Sequence, residues 1–241
     1  MLRLPKVHGV IRRRLLVNYR LDPAVAQRQL PPAFRPKLQD GYAIAGICLI
    51  RLEQIRPRRF PSLLGIASEN AAHRFAVLWD DDSGSHEGVY IPRRDSDSLL
   101  NHLAGGRLFP GEHQRATFAV TDDGTRVDLD MRSADGAVNV SVRGETASQM
   151  PATSVFASVE QASSFFEGGS LGYSATRDGR KLDGIVLRTH SWHVEPLQVD
   201  RVTSSYFADE ARFPQGSATF DHALIMRNIE HDWESAAEMY A

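Results

Sequence analysis

Short apolar segments separated by turn-forming residues recur along most of this chain of 241 residues. Turns rich in aspartate and glycine, such as Asp122-Asp123-Gly124, Ala134-Asp135-Gly136 and Asp178-Gly179, join segments in which apolar and polar residues alternate. This combination is typical of hairpins, in which consecutive antiparallel strands are connected by a tight turn. The pattern predicts about a dozen strands. The predicted strands span residues 8–19, 42–52, 73–79, 89–93, 115–120, 126–131, 138–143, 173–177, 182–194, 203–207 and 219–226.

A few short helices are predicted between the strands. Their start signals are Asp22-Pro23, Ser96 followed by Leu99, Leu100 and Leu103, and the capping box Ser158–Gln161 before Gly168-Gly169. The arginine–proline segment Ile55 to Pro61 is predicted to be a loop, since proline cannot donate to a ladder of strands. The chain is therefore predicted to form one α+β domain over residues 1–241. In it, a mainly antiparallel, closed or half-closed, barrel-like sheet surrounds a cavity.

Composition narrows the classes of partner. The net charge of −2 gives no field for a polyanion, so we expect no nucleic-acid partner. Cys48 is the only cysteine, which excludes an intrachain disulfide and fits a reducing compartment. The N-terminal residues lack the apolar block of a signal peptide, and the longest apolar run, Tyr42 to Ile50, is too short to span a bilayer. We expect a cytoplasmic protein with no membrane partner.

Most familiar catalytic motifs are absent from the sequence. It contains no phosphate-binding loop, and its glycine-rich segment 168–172 fails the dinucleotide pattern. His190 and His193 resemble a metal pair, but residues three apart on a strand point to opposite faces. Cys48 lies in an apolar strand, which favours an inert core thiol over a nucleophile. We therefore expect no cofactor and no bound metal.

Arginines are the remaining polar feature. Arg12-Arg13-Arg14 lie on a predicted strand, so one of its faces must turn arginine inward, and Arg93-Arg94 follow Pro92 in the same way. One interpretation is a solvated strand face or loop. The other is an anion site, because a guanidinium group binds carboxylate or enolate oxygens with two parallel hydrogen bonds.

Several segments resemble known families. The segment from Arg12 to Leu52 resembles the opening of acetoacetate decarboxylases, in which a strand, a short helix and an apolar strand follow one another. A more specific resemblance is to the uncharacterised YqjF-like family, a domain of unknown function in the same superfamily. The segments that carry it are Glu69–Arg74, Gly88–Asp95, Ala104–Gly111 and Gly169–Tyr173, and it covers most of the chain. The resemblance implies the acetoacetate decarboxylase-like fold, and activity does not follow from it.

The resemblance implies a modified active site. The early arginine of the decarboxylases falls on Arg12 and one of their glutamates on Glu69, whereas Cys48 occupies the position of the other glutamate. The Schiff-base lysine should follow Phe109-Pro110, where this chain has Gly111, Glu112 and His113. Arginine stays protonated and cannot replace a lysine that attacks a ketone as a neutral amine. Imine-based decarboxylation is therefore not expected.

Two main hypotheses follow. The first is an enzyme that acts on a small carboxylate or 1,3-dicarbonyl-like compound without an imine. In it Glu69 and His113 are the acid and base, and the ligand is held by Arg12, Arg93, Arg94 and Glu112, with Arg93 preferred over Arg94 as the inward arginine. The second is a barrel that binds or senses a small anionic or carbonyl-containing molecule without catalysis. A homo-oligomeric assembly role is a third option.

Overall fold

The computed structural model describes residues 6–58, 61, 65–98 and 111–240. Within these ranges the chain forms two short α-helices and fourteen strands. The helices are α1 (Pro23–Gln27) and α2 (Val159–Glu167). The strands are β1 (Val7–Leu21), β2 (Arg35–Pro36), β3 (Leu38–Gln39), β4 (Tyr42–Pro57), β5 (Ile66–Asp81), β6 (Gly84–Ser96), β7 (His113–Asp122), β8 (Arg126–Ser133), β9 (Asn139–Thr146), β10 (Leu171–Ala175), β11 (Lys181–Thr189), β12 (Glu195–Ser204), β13 (Ala218–Ser235) and β14 (Met239–Tyr240).

The strands form one sheet that closes on itself by two routes. The first ring runs β6-β7-β8-β9-β12-β13-β1-β4-β5 and returns to β6. The second route leaves β13 through β11 and β10 and also reaches β6. Both routes share the wall β13-β1-β4-β5-β6. Only the pairs β6–β10 and β6–β7 are parallel among the described strands. The prediction of a mainly antiparallel, closed sheet with few helices is confirmed.

The shared wall is buried on both faces. Leu15 and Val17 of β1 point into a first apolar core, which strands β8, β9 and β12 complete on the opposite side. Leu16 points into a second core, as does Cys48 of β4. A strand covered on both sides has no polar face. This explains the uninterrupted apolar run that begins at Tyr42 in β4.

Both helices in the described part of the chain begin at the predicted caps. Asp22 accepts hydrogen bonds from the backbone of Ala24 and Val25 at 2.8 and 3.1 Å. Ser158 accepts one from the backbone of Gln161, and α2 covers the second core. Most of the helix predicted between Ser96 and Gly105-Gly106 falls outside the described residues, which stop at Ser98 and resume at Gly111. No helix in the described ranges has the length and apolar character needed to cross a membrane.

Several predicted boundaries are wrong. Strand β4 continues to Pro57 instead of ending before a loop at Ile55, because the proline lies at the strand end, where its missing N–H is tolerated. Strand β11 ends at Thr189, so His190 to Val194 are not strand. Tyr206 and Phe207 form a turn after β12, where their rings pack into the first core. Their apolar side chains resemble those of a buried strand, although the backbone here is a turn.

Candidate functional site

A cavity of about 140 Å³ lies on the second-core side of the shared wall. An engineered cavity of about 150 Å³ holds one benzene molecule, so this space suits a ligand of about six heavy atoms. Most of its lining is apolar and comes from β4, β5, β6, β11 and β13. The charged, titratable or hydrogen-bonding side chains along it include Arg14, Cys48, Ser68, Asn70, Arg74, Arg94, His113 and Ser170.

An irregularity in β1 brings Arg14 to this cavity. The register against β4 shifts between Ile11 and Arg13, which makes Arg12 an extra residue in β1. An extra residue reverses the alternation of side chains beyond it. Arg14 therefore shares a face with Ile11 and lines the cavity, while Arg13 points to the other face.

The guanidinium group of Arg14 binds sulfur atoms. Its Nε donates a hydrogen bond of 3.1 Å to the Sγ of Cys48, and its Nη1 lies 3.9 Å from the Sδ of Met226. Neither partner is a carboxylate. The positive charge of Arg14 is therefore not neutralised by these contacts.

Arg74 of β5 is 4% exposed and points to the same cavity. Its Nη2 donates a 2.6 Å hydrogen bond to Oδ1 of Asn18, and its guanidinium carbon lies 4.9 Å from the centre of the Phe166 ring. Burial lowers the pKa of Arg74 to about 10. The group is still cationic at neutral pH, and Asn18 supplies an acceptor without supplying a negative charge.

A buried hydrogen-bond relay fixes the orientation of Asn18. Its Nδ2 donates to Nε2 of His222 at 3.0 Å, which places the amide oxygen towards Arg74. His222 then carries its proton on Nδ1 and donates it to Asp221 at 2.6 Å. Burial lowers the pKa of His222, which favours this neutral form. The relay therefore presents the Arg74 guanidinium to the cavity in one orientation.

Arg94 of β6 reaches the cavity through a second irregularity. Tyr90 pairs with Phe75 and Arg93 with His73, so that Ile91 and Pro92 together face a single residue of β5. Proline has no N–H to donate to the neighbouring strand. It is therefore tolerated where an extra residue interrupts the hydrogen bonds between two strands. The irregularity turns Arg94 towards the cavity and Arg93 away from it.

The guanidinium of Arg94 is more isolated than that of Arg74. Its Nε and Nη2 are buried and make no hydrogen bond to the described residues. Burial lowers the pKa of Arg94 to about 10. Buried polar groups are nearly always hydrogen-bonded, and an uncompensated buried cation is expensive.

Three guanidinium groups thus face one small apolar cavity. In the described ranges no carboxylate forms an ion pair with Arg14, Arg74 or Arg94. Asp95 also borders the cavity, but its carboxylate accepts bonds from Arg93 at 2.8 to 3.2 Å. Three cations without a carboxylate partner among the described residues favour an anionic ligand in the cavity.

Two of the predicted site residues, Arg94 and His113, line the cavity. His113 is the first residue of β7 and lies beside Arg94 in the parallel pairing of β6 and β7. The preference for Arg93 as the inward arginine is wrong, because Pro92 shifts the alternation by one residue. Arg93 instead binds Asp95 and Asp135.

The other predicted site residues lie outside the cavity lining. Arg12 is exposed as the extra residue of β1, and its Nη1 donates to Asn228 at 2.6 Å. Glu69 is buried on the opposite face of β5, where its Oε2 accepts a 2.7 Å bond from Arg13. Burial raises the pKa of the Glu69 carboxyl, and the charge of Arg13 opposes this. Glu112 is exposed and binds Arg177. The expected convergence of Arg12, Arg93, Glu69 and His113 is therefore not observed.

Sequence reasoning missed three of the lining residues. Arg14 belongs to the arginine run Arg12–Arg14, and Arg74 to the segment that begins at Glu69. Strict alternation along β1 and β6 selects the wrong arginines, since both strands contain an extra residue. The resemblance puts Cys48 at the position of an active-site glutamate, but its apolar neighbours favour a core thiol, so it was not among the predicted site residues.

Each lysine of the chain is paired with a glutamate. Lys6, Lys37 and Lys181 have Nζ atoms 2.7 Å from carboxylate oxygens of Glu234, Glu87 and Glu238 respectively. Lys37 borders a smaller pocket of about 20 Å³ that shares lining residues with the cavity. Its Nζ also donates to the carbonyl of Phe165 at 3.2 Å. None of the three lysines lines the cavity.

One cluster has ligand types suited to a metal ion. The nearest ligand atoms of His8, His190 and Asp232 lie within 4.8 Å of one another. His193 is not part of this cluster. The strand on which His190 and His193 were predicted to lie ends at Thr189. The two carboxylate oxygens of Asp232 already bind His8 at 3.2 Å and His190 at 3.1 Å, and Arg58 lies 3.7 Å away. This cluster is separate from the cavity, which His8, His190 and Asp232 do not line.

Solved structures with the same fold share little sequence with this chain. The enduracididine biosynthesis enzyme MppR, complexed with pyruvate, superimposes with a TM-score of 0.61 and 13% identity, over 100% of this chain and 91% of that one. Acetoacetate decarboxylase from Legionella pneumophila gives 0.58 and 10% over 99% and 88%. An acetoacetate decarboxylase-like enzyme from Sphingomonas wittichii gives 0.56 and 12% over 98% and 92%. At this identity the likeness shows the fold alone.

Sequence comparison gives a family without a known activity. No curated protein matches the sequence. The profile of one family, DUF2071, described as an uncharacterized conserved protein (COG2071), matches residues 10–228. Since that match covers most of the chain, the protein belongs to the DUF2071 family.

Proposed function

We propose that this protein binds a small carboxylate bearing a carbonyl group in the cavity of Arg14, Arg74 and Arg94, and promotes its enolisation without an imine. The observation that carries the proposal is the set of three guanidinium groups, none paired with a carboxylate of the described residues, around a mostly apolar space of about 140 Å³. Two carboxylate oxygens and one carbonyl oxygen match the donors that three guanidinium groups present. Pyruvate, which MppR binds in its solved complex, has this chemistry and about the right size.

The chemistry follows from where negative charge develops. When a proton leaves the carbon next to a carbonyl, the charge moves to the oxygen, and fixed cations in a dry site stabilise it strongly. His113 borders the cavity and is the residue that we propose to carry the proton, an effect of about 10²–10⁴-fold for a well-placed group. Because all three lysines are ion-paired, we propose that no lysine adduct forms.

Binding is tested by thermal unfolding with pyruvate and with methyl pyruvate, which lacks the negative charge. We expect pyruvate to stabilise the protein by about 1.4 kcal/mol at a concentration ten times its Kd, and the ester to have little effect. Arg94→Gln should weaken pyruvate binding by about 10- to 100-fold, the effect of losing one charge-assisted interaction. Arg201→Gln, which changes an exposed arginine of β12, is the matched control. Equal stabilisation by pyruvate and the ester would contradict the proposal.

Enolisation is tested by deuterium exchange of the pyruvate methyl protons, followed by proton NMR in D₂O. We expect exchange catalysed by the native protein, and a loss of at least about tenfold in His113→Gln with pyruvate affinity nearly unchanged. Binding without exchange would favour the alternative of a non-catalytic binding or sensing protein. A lysine adduct trapped by borohydride in the presence of pyruvate would overturn the imine-free chemistry.

A further inference from the structure

The cavity contains one reactive group that the proposed acid–base chemistry does not use, the thiol of Cys48. Cys48 is the only cysteine of the chain and lines the cavity. Its apolar neighbours in sequence predict an inert core thiol. The structure places it in the second apolar core, with the guanidinium group of Arg14 beside it.

Arg14 makes the direct contact, with its Nε 3.1 Å from Sγ of Cys48. Arg74 and Arg94 line the same cavity as Cys48. Arg74 is 4% exposed, and its Nε has no hydrogen-bond partner in the ranges that the structure describes. A buried guanidinium without a full set of acceptors favours an anion beside it.

The cavity places the sulfur where a ligand binds. Cys48, Arg74 and Arg94 line the same space, so a carboxylate bound by the two guanidinium groups lies beside Sγ. Cysteine sulfur is an intrinsically strong nucleophile, and a carbonyl group held next to it is positioned for attack.

We propose that Cys48 is a nucleophile that adds reversibly to the carbonyl carbon of a small aldehyde acid or 2-oxo acid bound in this cavity. The inference rests on the proposed function, because Arg74 and Arg94 must first hold the carboxylate. A bond forms between Sγ and the carbonyl carbon while the π bond of the carbonyl breaks. The S–H bond breaks as well, and its proton passes to His113 or water. The π electron pair moves to the oxygen, which takes a proton back from the same His113 or water. The net result is addition of S–H across C=O, with no oxidant and no leaving group.

The reactivity of Cys48 is tested with iodoacetate, which carries a carboxylate, and with neutral iodoacetamide. Because the chain has one cysteine, the mass of the intact protein reports alkylation at Cys48 alone. We expect the ratio of the iodoacetate rate to the iodoacetamide rate to be at least about tenfold higher in the folded protein than in urea, since the arginines recruit the anion. Arg94→Gln should lower this ratio, and Arg201→Gln should leave it unchanged. An equal ratio in folded and unfolded protein, or no reaction of the folded protein with either reagent, would overturn the inference.

The addition step is tested by calorimetric binding of glyoxylate and acetate to the native protein and to Cys48→Ala. We expect glyoxylate to bind the native protein at least about tenfold more tightly than acetate, and this preference to disappear in Cys48→Ala while acetate binding remains. If the preference persists in Cys48→Ala, or is absent from the native protein, the nucleophile inference fails and the proposed function stands. If neither carboxylate binds the native protein, the proposed function fails as well.

Discussion

Asn18 controls how much positive charge the cavity presents. Its amide oxygen accepts the hydrogen bond of Arg74 where a carboxylate would also fit, and its Nδ2 is committed to His222. A neutral acceptor orients a guanidinium group without neutralising it. The relay through His222 and Asp221 therefore holds a cation in place and leaves its charge available for a ligand.

Replacing Asn18 with aspartate tests this interpretation with almost no change of shape. We expect Asn18→Asp to pair with Arg74 and to weaken pyruvate binding by at least about tenfold, because the cavity loses one net positive charge. Isothermal calorimetry measures the affinity, and circular dichroism checks that the fold is kept. Asn70→Asp, at a polar position of the cavity lining, asks whether any added carboxylate has the same effect. Unchanged affinity in Asn18→Asp would show that Arg74 does not contribute to binding.

Glu69 belongs to a buried ion pair, and we expect its replacement to affect stability instead of ligand binding. Glu69→Gln removes the carboxylate that lies 2.7 Å from Arg13, with Asp122 3.8 Å away as the remaining acidic neighbour. Breaking a buried pair costs about 3–5 kcal/mol, and Asp122 should reduce that loss somewhat. Urea unfolding measures the change in the free energy of unfolding. Glu53→Gln is the control, because the ion pair of Glu53 with Arg51 is partly exposed. A large loss of pyruvate affinity in Glu69→Gln would show that Glu69 contributes to ligand binding.

The sequence was sufficient to predict that most of the strands exist. It was not sufficient to predict which face of a strand each side chain occupies. The turns at Gly124, Gly136 and Gly179 and the apolar run after Tyr42 were sufficient to locate most of the sheet. The extra residues at Arg12 and next to Pro92 leave no mark in an alternating pattern, yet each reverses the face of every residue beyond it. The sequence therefore identified arginine-rich segments of the site but assigned the wrong members to the cavity.

The close approach of β1 and β4 depends on Gly46. A Cβ at this position would lie 2.3 Å from the carbonyl oxygen of Val17 and 3.1 Å from Oδ1 of Asn18. We expect Gly46→Ala to separate the two strands and lower the free energy of unfolding by about 1–3 kcal/mol, the usual penalty of overpacking. Urea denaturation measures it. Gly169→Ala is the control, because its Cβ would meet its nearest neighbour at an ordinary 3.5 Å. Equal stability of the two variants would contradict the expected clash.

Acid should destabilise the whole molecule through its buried histidines. His73 is fully buried against Tyr206, and burial lowers its pKa to about 3, compared with about 6.5 in an unfolded chain. Between these values the unfolded chain binds a proton that the folded protein does not. Stability is therefore complete above about pH 6.5 and falls by up to about 1.4 kcal/mol per pH unit as the pH decreases towards 3. His231, with a pKa lowered to about 4 by burial, adds to this loss.

Removing the imidazole of His73 should make the acid profile shallower. We expect His73→Phe to lose less stability than the native protein between pH 6.5 and 4.5, by up to about 1.4 kcal/mol per pH unit. Denaturant unfolding at several pH values measures the slope. Tyr206→Phe changes the same contact without removing a group that titrates in this range, and should keep the native slope. An unaltered slope in His73→Phe would mean that other groups account for the acid response.

The pairing of β1 with β13 has a consequence for how the protein is made. Leu21 pairs with Ala218 and Val7 with Trp233, so β1 acquires one of its two neighbours only after residues 22–217 have been synthesised. Until then, an apolar strand has one open edge, which can pair with other chains. Contacts between residues so distant in sequence also slow folding. The nascent chain therefore passes through a long period in which a chaperone that shields this edge would improve its yield.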